Sequence, residues 1–232
     1  MDEKMFQIVK SSIPGFGSEI ATIVSDIVTS IIKERMYAWK NGSIATISDM
    51  IQKIKEDCSE ENLATLLKNN KVYTDTIEKG LKDNVGKDIA MVNAPFEAEI
   101  SAMVSLSAGI SAKGVMIELN AILSLASEIL AGAIVVILVN LGPATPPILT
   151  AILGLSVVTF FKNECYPDSV KELLKDKVME WNSPQWLREC ISNDKIDECI
   201  KKADIQGRMK NIFNTPKIVD DIAENVMSQL KA

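Results

Sequence analysis

The stretch NLGPATPPIL, Asn140–Leu149, sets three prolines between two strongly apolar runs, ILAGAIVVILV before it and LTAILGLSVVTFF after it. Between Glu128 and Lys162 the chain has no Asp, Glu, Lys or Arg. Three readings compete: a membrane span, a buried core hairpin, and an element that passes from one state to the other. Length separates them. A bilayer core of about 30 Å needs about 20 apolar helical residues. Ile148 to Phe161 rises only roughly 21 Å at 1.5 Å per residue, which is too short to cross. The upstream run reaches back towards Leu119 only by including Glu128 near mid-depth, at a cost of about 2.5–3.5 kcal/mol. Two conventional spans fit poorly. A helical hairpin turning at Pro143-Ala144-Thr145-Pro146-Pro147 fits better, because the prolines cannot continue the first helix and Pro146 or Pro147 can open the second.

Such a hairpin either dips into lipid or lies buried in a soluble bundle. A bundle helix normally keeps one wet face, and a helix apolar all round must be enclosed or in lipid. The chain has few helices with which to enclose two such segments. Membrane contact, constitutive or triggered, is therefore the expectation for an apolar hairpin over about residues 129–161. The residues expected to meet lipid are Ile134, Val135, Ile137, Leu138, Leu141, Pro143, Pro146, Pro147, Ile148, Leu149, Ile152 and Leu155.

The 232 residues are 47% hydrophobic and 5% aromatic, enough for a sizeable core and typical of an all-α chain. The net charge of −6, with no basic stripe, argues against nucleic acid as a partner. It also argues against simple electrostatic attachment to anionic lipid, which needs clustered cations. The chain has no histidine, which removes Ser-His and Cys-His nucleophiles and His-containing zinc sites. It has no phosphate-binding G-x-x-x-x-G-K-[ST] and no G-x-G-x-x-G. No enzymatic activity, cofactor or metal is expected. Cys58, Cys165, Cys190 and Cys199 are widely spaced and read as reduced thiols of a cytosolic protein, although a Cys190–Cys199 bridge is possible in an oxidising compartment. MDEKMFQIVK opens acidic with no apolar h-region, Asp2 stands where myristoylation needs glycine, and QLKA is no prenylation box. The expectation is cytoplasmic synthesis in a soluble form, membrane-associated when active.

Around the hairpin, helical periodicity organises the chain. Ile20, Ile23, Val24, Ile27, Val28, Ile31 and Ile32 mark one face of a long helix from Gly17 to Asn41-Gly42, with GFGSEI as a flexible lead-in. Ile44, Ile47, Ile51 and Ile54 mark a second helix after Ser43. Ser59 reads as the N-cap of a third, carrying Leu63, Leu66 and Leu67. A further amphipathic stretch runs from about Val72 to Met91. From Ile100, ISAMVSLSAGISAKG is rich in the small residues that permit close helix packing. Ser183-Pro184 and Thr215-Pro216 each place a capping residue before a proline at the first helical position. Apolar positions recur at Leu187, Cys190 and Ile191; at Ile196, Cys199 and Ile200; at Met209, Ile212 and Phe213; and at Ile218, Ile222, Val226 and Leu230. Trp181 and Trp186 flank NSPQ, where they either anchor an interface or pack under a loop. The reading is an all-α, elongated bundle with a central apolar hairpin. Its segments are an amphipathic one at 1–99, the apolar hairpin segment at 100–161 and charged helices at 162–232, in one continuous domain.

This order of parts, ending in IVDDIAENVMSQLKA, resembles the stalk-and-paddle region of bacterial dynamin-like proteins over Ile100 to Ala232, in which an apolar paddle breaks a helical stalk and binds lipid. No GTPase motif accompanies it, so that resemblance implies membrane remodelling with a separate GTPase chain. The pattern is also similar to α-helical pore-forming toxins, whose colicin and cytolysin types keep an apolar element among amphipathic helices until it meets a membrane. Here about 70 residues follow the hairpin, unlike the colicin arrangement. The preferred expectation is a pore-forming or membrane-permeabilising protein. Its partners would be a lipid bilayer and either copies of itself on the membrane or a helical protein. A soluble scaffold with a buried hairpin is the third reading.

Overall fold

The computed structural model describes residues 3–80, 83, 97–140 and 168–230, and the described elements are all helical. In chain order they are α1 (Glu3–Lys40), α2 (Ile47–Asp57), α3 (Glu60–Asn69), α4 (Lys71–Gly80) and α5 (Glu97–Asn140), then α6 (Asp168–Glu180), α7 (Gln185–Glu189), α8 (Asn193–Lys202), α9 (Ile205–Phe213) and α10 (Pro216–Leu230). The all-α expectation holds. The hairpin turn and its return arm lie outside the described residues, as does the amphipathic reading beyond Gly80, Asp83 apart.

The chain forms two compact units that interleave its sequence thirds. One comprises Met1–Ser30, Glu56–Asn120 and Asp204–Ala232, the other Ile31–Lys55 and Ala121–Ala203. The first unit buries one face of each helix: Ile20, Val24 and Val28 of α1, Leu63 and Leu67 of α3, Tyr73 and Ile77 of α4, and Val115 and Leu119 of α5. Met209, Ile212 and Phe213 of α9 and Ile218, Ile222 and Met227 of α10 complete that core. Where helices approach most closely, small residues make room. Gly17 has the Phe213 backbone and Cβ 3.7 Å from where its own Cβ would lie, and a Cβ on Gly114 would meet Ile212 Cγ2 at 2.8 Å.

Local chemistry corrects several boundaries. α1 does not begin at Gly17 but at Glu3, so GFGSEI is helix and not a flexible lead-in. Pro14 has no N–H to give the helix ladder, which normally costs about 3 kcal/mol. The buried Ile13, Gly17 and Ile20 continue the apolar face through it, and burial outweighs propensity. α2 starts at Ile47, so its inward face is Ile47, Met50 and Ile54, while Ile51 is only half-buried. Its start is a reciprocal capping box: Asp49 N–H donates to Thr46 Oγ1 at 2.9 Å, and Thr46 N–H donates to Asp49 Oδ2 at 3.2 Å. Thr46→Ala should cost about 1 kcal/mol in urea unfolding.

The Ser59 cap is present, accepting from Asn62 N–H at 3.4 Å, but Leu66 points outward between the buried Leu63 and Leu67. Ser183 does not cap α7. Pro184 occupies the cap position, and the buried Ser183 hydroxyl has no hydrogen-bond partner. Pro216 does open α10, with Thr215 C=O accepting from Val219 N–H, but the Thr215 hydroxyl donates back to Asn211 C=O. α9 is capped by Asp204, which takes a left-handed conformation (φ 47°, ψ 50°) and accepts from Gly207 N–H at 3.2 Å.

The second unit buries Ile32, Met36 and Trp39 of α1, Ile47 and Ile54 of α2, and Leu174 and Val178 of α6. Leu187 of α7 and Ile196, Cys199 and Ile200 of α8 join them; Cys190 is exposed, and the Cys190 and Cys199 thiols are both free. On α8, hydrogen bonds from Lys195 and Lys202 hold the Glu198 carboxyl down at about 2. A depressed carboxylate contributes stability above its ordinary pKa of about 4.5 and loses it as pH falls. This tie therefore weakens only as pH drops from about 4.5 through about 2.

Candidate membrane-facing surface

α5 carries the site. Its inward stripe recurs every three or four residues at Ala126 and Ser127, Leu130 and Ala131, Ile134 and Val135, and Leu138, all buried. Its outward stripe starts wet, with Lys113, Asn120, Ser124 and Glu128 all exposed. Two apolar residues, Ile117 at 63% exposure and the exposed Ala121, interrupt that stripe. After Glu128 the outward stripe has no polar side chain until the exposed Asn140. Ile129, Gly132, Ala133 and Ile137 are half-buried there, and Val136 is 59% exposed. Ile129 to Asn140 rises roughly 18 Å.

Among the described residues, Ser107–Leu138 of α5 is the one stretch long and apolar enough to cross a membrane by length and composition, and half of its most apolar window is buried. Of the residues expected at the lipid contact, Ile134, Val135 and Leu138 face inward and Ile137 is half-buried. Leu141, Pro143, Pro146, Pro147, Ile148, Leu149, Ile152 and Leu155 lie outside the described residues. The surface instead shows Val136 with Ile129 and Ala133 beside it. Steps of four forward from Glu128 reach Gly132, Val136 and Asn140, so the position of Val136 was present in the spacing.

A second polar centre lies in the same unit. Arg188 is 4% exposed, and its Nη2 donates to Ala45 C=O at 2.6 Å and to Asn182 Oδ1 at 3.0 Å. Its guanidinium stands 5.8 Å from the centroid of the buried Trp39 ring. Burial lowers its pKa. Gly42, at φ 86°, turns the chain beside it, where a Cβ would come 3.1 Å from Nη1. These contacts fasten the turn after α1 to α7. Nearby, Tyr37, Lys40, Asn41, Gln185, Glu189 and Asn193 line a cleft of about 400 Å³. Lys40 Nζ donates to Asn193 Oδ1 across it. The cleft offers hydrogen-bonding groups along its walls.

The buried thiols are unsuited to nucleophilic work. Burial pushes Cys58 up to about 12 and Cys199 up to about 11, so both stay protonated at neutral pH. Among the described residues, no three acidic or thiol side chains converge as a metal site requires. Trp181 is half-buried and Trp186 exposed, on either side of the turn into α7. Comparison with protein-family models, characterised proteins and solved structures returns no match to this chain.

Proposed function

We propose that this is a membrane-interacting helical protein whose apolar segment, from Ile129 to Phe161, inserts into a bilayer and permeabilises it. The observation that carries this reading is the outward stripe of α5, mainly polar up to Glu128 and apolar from there to Asn140. That apolar stripe leads directly into a sequence with no charge until Lys162. Hydrocarbon accepts such a face, whereas water penalises it by roughly 25 cal/mol per Å² of apolar surface. Insertion driven this way does not depend on surface charge, in keeping with the net charge of −6.

The test is flotation of purified protein with liposomes, paired with dye leakage. Binding and leakage should persist at molar salt, where the Debye length falls to about 3 Å. Loss of binding to anionic vesicles at high salt would reject the hairpin as the driver.

A second reading has its own support. The inward burial of Ile134, Val135 and Leu138 is what the core helix of a soluble scaffold also shows. A monodisperse protein that neither floats with liposomes nor releases dye would favour it.

A further inference from the structure

We infer that membrane engagement opens only the second unit: the Ala121–Asn140 half of α5 parts from the rest of that unit, while the Glu97–Asn120 half stays locked in the first. This rests on the membrane reading above and adds where the protein gives way.

The two halves are fastened by different physics. In the first unit, the buried Tyr73 hydroxyl and Ser111 Oγ share a hydrogen bond of 2.8 Å between α4 and α5. Arg208 Nη1 of α9 bonds Glu118 Oε2 at 2.7 Å, both side chains about a third exposed. Between them, Gly114 approaches Ile212 so closely that no Cβ would fit without movement. Separation here would strand a buried hydroxyl pair and a charge pair, and hydrocarbon offers neither group a partner.

Among the described residues, the side-chain hydrogen bonds of Ala121–Asn140 stay inside α5. Ser124 Oγ donates to Glu128 Oε1 at 3.0 Å, and Ser127 Oγ donates to Ser124 C=O at 3.0 Å. Both travel with the helix. Among the described residues, what this half otherwise buries is apolar, with Leu130, Ile134 and Leu138 fully enclosed, and a Cβ on Gly132 would lie 4.0 Å from Lys175 Cε, an ordinary contact. Apolar contact is non-directional, and lipid tails replace it without loss of any polar partner. The helix backbone keeps its own hydrogen bonds throughout.

The experiment locks each unit in turn with a short bismaleimide. Cys165 and Cys190 are replaced by serine; Cys58 and Cys199 remain, because their buried, protonated thiols do not react in the folded protein. One variant carries Glu118→Cys with Arg208→Cys, the other Gly132→Cys with Lys175→Cys. Each is crosslinked after folding and compared with its uncrosslinked form in leakage from liposomes of mixed neutral and anionic lipid. Crosslinking the second unit should cut leakage at least tenfold, and crosslinking the first should leave it within twofold. If both locks block leakage, or neither does, the inference is overturned while the membrane reading stands. If the unmodified protein neither binds nor permeabilises the vesicles, both fall together. Hydrogen exchange with vesicles gives a second readout: amides of Val104–Leu119 should keep their protection, and loss of it overturns the inference independently of leakage.

Discussion

Val136→Asp leaves the folded protein nearly as stable as before, within about 0.5 kcal/mol, because its side chain already meets solvent. If the proposed insertion takes place, the same change should disable it. A carboxylate carried to the bilayer centre costs about 2.5–3.5 kcal/mol, which is roughly a 60- to 300-fold loss, and less at shallower depth. Two residues earlier the outcome inverts. Ile134 is fully buried, so Ile134→Asp places an unpaired charge in the core and costs about 4 kcal/mol or more. That is a large share of the total stability of an ordinary domain, about 5–15 kcal/mol. Thermal unfolding and vesicle leakage on the same samples separate the effects. An intact Val136→Asp protein that still releases dye removes this face from the membrane contact.

The second large effect falls in the core of the same unit. Trp39→Ala should lose about 3–5 kcal/mol in urea unfolding, since a fully buried indole leaves a cavity that the surrounding helices fill only in part. It also uncovers the guanidinium of Arg188, which keeps its bonds to Ala45 and Asn182 but loses the ring it faces. A loss below about 1 kcal/mol would contradict the packing described here.

The helical class was legible because apolar spacing of three and four runs through most of the chain, and Ser59 announced its helix by chemistry alone. The apolar length of α5 was legible too. What the pattern missed has identifiable causes. Leu66 and Leu67 are equally apolar, and only the phase of the neighbouring Leu63 decides which one turns inward. GFGSEI reads as a flexible lead-in, yet α1 runs through it and through Pro14 because tertiary burial outweighs local propensity. Arg188 read as wet. Its partner carbonyl at Ala45 lies 143 residues away, beyond the reach of any local pattern. At the candidate site, the charge-free run marked out the last turns of α5. It did not separate Ile134 from Val136, because both are β-branched and apolar and only the helix phase distinguishes them.

The left-handed cap at Asp204 carries a consequence for how this sequence can vary over time. A side chain on Gly207 would put its Cβ 2.3 Å from Asp204 Oδ2, inside the carboxylate that caps the helix. The glycine and the aspartate therefore exclude independent substitution: any larger residue at 207 expels the cap, and loss of Asp204 removes the reason for glycine. In divergent descendants of this chain the two positions should change as a pair, and a lineage that keeps one should keep the other.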